Sequence, residues 1–297
     1  MTVPKFVAAM KQLGFSDVVE VAAGADVCAV EEARDFAEKV PSRQKFLATS
    51  CCPSWRMMAR RLFPNESGNI SMTYTPMIYT ARLVKHTHPG SKVVFIGPCA
   101  AKKLEAMQQE LRSDVDFVLT YEELMGIFEA KAIDFSQLPD TQELHDASGL
   151  GRGFAAAGGV AAAVEEVLRR TQPDMEIKIQ RADGLRECRR LLTLAKEGKL
   201  DGFLLEGMAC PGGCVASAGT IIPAEAAKSS WTCISRLKSF TAHKPPNRLV
   251  KCSSFKIVLI AVYLPFRFFA LRTLHGKTNG IFCDHRRKCW PDRSAGK

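Results

Sequence analysis

Between Met1 and Lys228 short β-branched runs alternate with longer stretches in which apolar residues recur every three to four positions. That alternation is the pattern of βα units on mostly parallel sheets. Continuous or alternating apolar runs predict strands at Asp17–Val21, Lys45–Thr49, Lys92–Ile96, Val115–Thr120, Glu176–Gln180 and Gly202–Glu206. Helical spacing predicts helices over Glu31–Val40, Pro76–Lys85, Tyr121–Ala132, Gly159–Thr171 and Leu185–Glu197, with Pro, Gly or Asp at most of their ends. The expected fold is α/β: two lobes, each a small mostly parallel sheet flanked by helices, with a cleft between them.

Three predicted strands run straight into cysteine-bearing loops. Lys45–Thr49 leads to Cys51-Cys52-Pro53, Lys92–Ile96 to Pro98-Cys99, and Gly202–Glu206 to Cys210. Ligands of open parallel sheets gather at the carboxyl ends of the strands, so these cysteines are placed to converge. Cys214 follows Cys210 by four residues, a spacing that puts two side chains on one face if a helix begins there.

After Lys228 the alternation stops. Residues 229–297 hold 14 Lys or Arg against Asp284 and Asp292, with no Glu, whereas residues 1–228 hold 27 basic and 29 acidic residues. The net charge of +10 therefore belongs to the tail, and nothing in the slightly acidic body points to a nucleic-acid partner. The apolar run Ile257–Leu271 is 15 residues long and is broken by Pro265 and Arg267. A membrane span needs roughly 20 apolar residues, so none is expected. The expected organisation is a domain over 1–228 and a basic tail over 229–297 with no defined position against it. The start, MTVPKFVAAMKQLGF, has neither an apolar h-region nor a small-residue cleavage site, so a reducing, cytoplasmic compartment is expected.

Eleven cysteines in such a compartment point to metal or cluster chemistry rather than disulfides. Thiolates are soft, charged donors for iron, and a four-iron cluster takes one from each of four cysteines. Cys52, Cys99, Cys210 and Cys214 supply four. A ferredoxin would show a compact C-x2-C-x2-C run, and a structural zinc site two tight pairs. The body has only one tight pair, Cys210 and Cys214.

The stretches Thr49-Ser50-Cys51-Cys52-Pro53-Ser54-Trp55, Gly97-Pro98-Cys99-Ala100-Ala101-Lys102-Lys103 and Glu206-Gly207-Met208-Ala209-Cys210-Pro211-Gly212-Gly213-Cys214 resemble, in order, the three signature motifs of iron-only (FeFe) hydrogenases. The resemblance covers about Val3 to Lys228. It implies an H-cluster, a 4Fe-4S cubane joined through one cysteine to a two-iron subcluster carrying CO, CN and azadithiolate. It makes Cys52, Cys99, Cys210 and Cys214 the cubane ligands, with Cys214 as the bridge. Cys51 matches the proton-passing thiol beside the azadithiolate, Lys102 the lysine that donates to a cyanide, and Met208 a methionine near the bridging carbonyl. Glu31-Glu32-Ala33-Arg34-Asp35 is similar to the family's Glu-Glu-Ala-x-Glu helix. Glu32, Asp35 and Ser71 thereby take the family's proton-relay positions, Asp35 being one methylene shorter than the usual glutamate. The implied activity is interconversion of H2 with protons and electrons. The implied partners are a ferredoxin-type electron carrier and the hydrogenase maturation proteins.

The chain departs from the family pattern at Gly97, where many members have methionine, and at Val215-Ala216-Ser217-Ala218-Gly219, where C-x-x-G-G-G is commoner. It begins at what looks like the family's first helix and ends in the basic tail, so an incomplete domain is expected. Two other functions compete. A sensory relative would often lack the thiol that Cys51 provides. A Nar-type iron–sulfur assembly protein shares the Pro-Cys-x-x-Lys-Lys stretch but not the paired Cys51-Cys52. Without the family, Glu32 and Asp35 would be a solvated helix face and Ser71 a cap. Cys28 and Cys188 read as small core residues. Cys283, His285 and Cys289 imitate a zinc site at a poor spacing.

Overall fold

Prolines, small residues and side-chain caps set where each element begins. The structure, a computed structural model, describes residues 2–140, 144, 147–223 and 225–227, and the backbone of 257–261. In chain order the elements are α1 (Val3–Gln12), β1 (Asp17–Glu20), α2 (Ala22–Lys39), β2 (Leu47–Ala48), α3 (Pro53–Leu62), α4 (Pro76–Thr87), β3 (Lys92–Ile96) and α5 (Ala101–Ala106). They continue with β4 (Phe117–Leu119), α6 (Tyr121–Ala130), α7 (Gly149–Gly153), α8 (Gly159–Thr171), β5 (Lys178–Asp183), α9 (Leu185–Lys196), β6 (Phe203–Met208) and β7 (Ile257–Ala261). Pro53 and Pro76 open α3 and α4, where a fixed φ suits the first turn and the missing N–H costs nothing. Thr120 and Glu123 close a capping box on α6.

The strands form two sheets, β1-β7-β3-β4 and β2-β6-β5, in which every pairing is parallel. Helices cover them, so Val93 to Ile96 and Leu204 to Met208 are buried throughout, as strands sandwiched between helix layers must be. Gly207 shows how tight the second sheet is. A Cβ there would stand 2.2 Å from the Trp55 indole, whose Nε1 donates to the Thr49 carbonyl at 3.0 Å. Two signature stretches are thus locked together by one aromatic ring.

Three expectations change. Helix α2 starts at Ala22, nine residues before the expected Glu31, because Ala22, Ala25 and Gly24 let it press against α4. A Cβ at Gly24 would meet the Pro76 carbonyl at 2.4 Å. No α-helix joins Cys210 to Cys214, since Gly212 and Gly213 have φ of 89° and 92° and only a 3-10 turn, Cys214–Ala216, follows. The third change falls in the tail expected to lack a position. Its residues 257–261 form β7, registered from Asp17↔Val258 to Glu20↔Ala261 on one side and from Lys92↔Ile257 to Ile96↔Ala261 on the other. Ile-Val-Leu-Ile-Ala is the continuous β-rich run that a central parallel strand requires. The rest of the tail, including Cys283, His285 and Cys289, lies outside the described residues. Among the described residues no helix is long and apolar enough to cross a membrane.

Candidate metal centre

Strand β2 ends at Ala48, and Thr49 N–H extends the ladder to the Leu205 carbonyl at 2.9 Å before the chain turns through Cys51 and Cys52 into α3. The backbone N–H of Ala209, just past β6, reaches the Cys52 Sγ at 3.5 Å. Past β3, Gly97 N–H donates to Leu119 at 3.1 Å, and Cys99 accepts from the Lys102 N–H at 3.2 Å. The turn after Cys210 packs backbone to backbone on the loop that follows α7: Ala157 N–H donates to Gly212 and Val215 N–H to Ala155, at 3.1 and 3.0 Å. A Cβ at Gly213 would lie 2.5 Å from Ala157 N, so only glycine allows this approach.

These loops line one cavity whose wall includes Cys51, Cys52, Cys99, Lys102, Met208, Cys210 and Cys214. Among the described residues no three Cys, His, Asp or Glu side chains are grouped to hold a single metal ion. The thiols instead stand apart around a shared space, which suits a cluster with one iron per thiolate and not a mononuclear zinc site. Burial pushes the Cys52 and Cys214 thiols up, so cations in the cavity are what would draw out their protons. The donor set and the space together fit an iron–sulfur group.

Lys102 is buried, and its Nζ donates to Glu105 at 2.7 Å and to the Cys51 carbonyl at 3.4 Å. Burial opposes its charge, but Glu105 and the neighbouring thiols outweigh that and hold the ammonium above its ordinary pKa. Glu32 is fully buried, not part of a solvated face. Its Oε1 accepts from Ser50 N–H at 2.8 Å and Ser50 Oγ at 2.9 Å, while Oε2 has no hydrogen-bond partner among the described residues. Burial pushes this carboxyl up to about 7 against the pull of the Ser50 hydrogen bonds.

Ser71 and Asp35 do meet: Ser71 Oγ donates to Asp35 at 3.2 Å, and Asp35 pairs with Lys39 at 2.9 Å. Among the described residues Ser71 does not bond Glu32 directly; Ser50 and Thr73 stand between them. Ser50 Oγ reaches the Thr73 carbonyl and Ser71 Oγ the Thr73 hydroxyl, both at 2.8 Å. The sequence reading did not single out these two linkers, although Ser50 lies inside the first motif and Thr73 only two residues from Ser71. It also missed Arg152, which lines the cavity. Cys28 and Cys188 are fully buried.

Two parallel sheets that deliver four cysteines around one cavity define an α/β protein of the thiolate-ligated cluster type. The chain belongs to the family of the iron only hydrogenase large subunit, C-terminal domain, whose model matches residues 1–218. It is 28% identical over 263 residues to the periplasmic Fe hydrogenase large subunit of Nitratidesulfovibrio vulgaris, covering 74% of this chain and 62% of that protein. It is 28% identical to iron hydrogenase 1 of Clostridium pasteurianum, covering 72% of this chain and 45% of that one. It thus spans about half to three-fifths of the length of these relatives. A probable cytosolic Fe-S cluster assembly factor of Aedes aegypti is 24% identical over 72% of this chain and 55% of its own. The solved FeFe-hydrogenase HydA1 of Chlamydomonas reinhardtii shares the fold with a TM-score of 0.60 at 22% identity, covering 79% of this chain and 77% of its own.

Proposed function

We propose that this chain holds an H-cluster and interconverts H2 with protons and electrons. The observation that supports it best is that one cavity wall gathers Cys52, Cys99, Cys210 and Cys214 together with Cys51, Lys102 and Met208. The four cysteines would hold the cubane, and Cys214 would also hold the two-iron unit. When bound, that unit supplies the making and breaking of the H–H bond; the protein supplies geometry, protons and an entry for electrons.

Lys102, fixed by Glu105, points a charge-assisted donor at the anionic end of the group, and Met208 packs beside it. Cys51 carries a proton between the cavity and Glu32. From Glu32 the path runs to Ser50, and a second segment joins the Thr73 hydroxyl through Ser71 to Asp35 beside half-exposed Lys39; Ser50 meets Thr73 only at its carbonyl, which cannot pass a proton on, so a water would have to carry it between the two segments. A carboxyl that titrates near neutrality suits such a relay, because it gives and takes a proton at similar cost.

Electrons come from an acidic, ferredoxin-type carrier. Helix α3, which starts on cluster ligand Cys52, carries Arg56, Arg60 and Arg61 and no acidic residue. It packs on α9, which carries Arg189 and also Arg186 and Arg190, both paired with Glu187. Within a body of net negative charge these arginines complement an acidic protein, and Gly184 at the start of α9 stands beside exposed Pro211, next to Cys210. Assembly of the two-iron unit implies dedicated maturation proteins.

The alternative, an assembly factor with cubanes alone, draws on the Aedes likeness but leaves Cys51 and the buried Glu32 without a role. The test is exchange of H2 with deuterated water after expression of the full chain with the maturation proteins, which needs no electron partner. Exchange supports the hydrogenase reading. A cubane-containing chain that exchanges nothing favours the assembly factor.

A further inference from the structure

Among the described residues two buried ion pairs flank the cavity. Lys102 pairs with Glu105, and Arg152 with Glu20, whose carboxylate takes both Nε and Nη2, the latter at 2.9 Å. Glu20 and Glu105 are 0% and 1% exposed. The wall of the cavity includes Lys102 and Arg152 but neither carboxylate. Each pair thus puts its cationic residue, and not its carboxylate, in the cavity wall. A largely apolar cavity with two cationic residues in its wall suits a group of more than one negative charge.

Arg152 is held there from several sides. It lies on α7, whose Ser148 cap is bonded to Asp26 of α2 through N–H at 2.8 Å and through its hydroxyl. A Cβ at the preceding Gly151 would stand 2.4 Å from the Ala22 carbonyl, so α7 is pressed onto the start of α2. Glu20 ends β1, and Val21 and Ala22, next in the chain, share the cavity wall with Arg152. Fixing a guanidinium this firmly at a cavity wall costs far more than a surface arginine would, since two charges must leave water.

We propose that Arg152, oriented by Glu20, is a second anion-binding group of this cavity. It donates to the negatively charged end of the bound group from the β1 and α7 side, while Lys102 does so from α5. Glu20 is the positioning residue: its two contacts leave the guanidinium plane no freedom to turn away. The assignment rests on the H-cluster reading, because it needs an anionic group in the cavity.

The test uses the full chain loaded with its cubane and then supplied with the dianionic two-iron azadithiolate complex bearing CO and CN. Uptake is read as iron content and as the positions of the cyanide stretching bands. Arg152→Gln alone strands a buried carboxylate, so the decisive variant is Glu20→Gln with Arg152→Gln, which keeps shape and removes both charges. Uptake should be about 10- to 100-fold weaker, the value of a hydrogen bond to a charged group. The cyanide bands should shift, with cubane content and melting midpoint retained. Native uptake and band positions in the double variant would overturn the assignment. Absence of any cyanide band in the unaltered chain would instead overturn the H-cluster reading, and this assignment with it.

Discussion

The two sheets bring different chemistry to the same cavity. The three-stranded sheet delivers thiols: Cys51 and Cys52 follow β2, and Cys210 and Cys214 follow β6. The four-stranded sheet delivers Cys99 and most of the charge, with Lys102 just past β3 and the carboxylate that anchors Arg152 at the end of β1. They also differ in how they are assembled. Every strand of the first lies inside the family match, whereas the second is continuous only through β7, beyond residue 218. One region is thus a self-contained thiol platform, and the other depends on a distant strand to hold its charges in place.

Deleting residues 229–297 tests that dependence most severely. Without β7 the facing edges of β1 and β3 lose their backbone partners. At about 1–3 kcal/mol for each buried unpaired group, several such losses remove much of the roughly 5–15 kcal/mol that holds a domain together. The chain ending at Lys228 should show no cooperative melting transition. A sharp transition at the full chain's temperature would show that the four-stranded sheet does not need β7.

On the thiol platform, Cys214→Ser should leave the fold and remove the two-iron unit entirely, while Cys188→Ser, a buried core change, keeps both. Equal iron content in the two variants would refute the bridging assignment. Cys51→Ala should keep the whole cluster and lower hydrogen turnover by about 10²–10⁴-fold, the usual cost of one positioned acid–base group. Full turnover with an intact cluster would remove Cys51 from the proton path.

The smallest effect concerns Glu32. Its folded pKa of about 7 lies above the ordinary 4.5, so its contribution is fully present below about pH 4.5 and is lost as pH rises through 7. Stability should fall by roughly 3 kcal/mol across that window, on the order of 1.4 kcal/mol per pH unit of displacement. Chemical denaturation at a series of pH values should show this slope in the native chain and a flatter profile in Glu32→Gln. Equal slopes would mean that burial does not raise this carboxyl.

Much of the platform could be read from the chain because its ligands are local in sequence. Strand, loop and cysteine follow one another at Lys45–Cys52, Lys92–Cys99 and Gly202–Cys210, and parallel topology turns that order into convergence. The charged wall could not be read this way. Glu20 and Arg152 are 132 positions apart, and each alone looks like a surface residue. The small residues Ala22 to Ala25 hid the first turns of α2 because they carry little apolar period, although they are what lets α4 and α7 approach. The strand within Ile257–Leu271 was obscured for a different reason: a length test for membrane spans says nothing about a five-residue central strand.

The central claim is that this cavity holds a two-iron unit beside a cubane, and infrared spectroscopy of the full chain expressed with the maturation proteins tests it most directly. The account predicts separate cyanide and carbonyl stretching bands in protein whose iron content exceeds that of a four-iron cluster. A chain that carries four irons and shows neither band would contradict it.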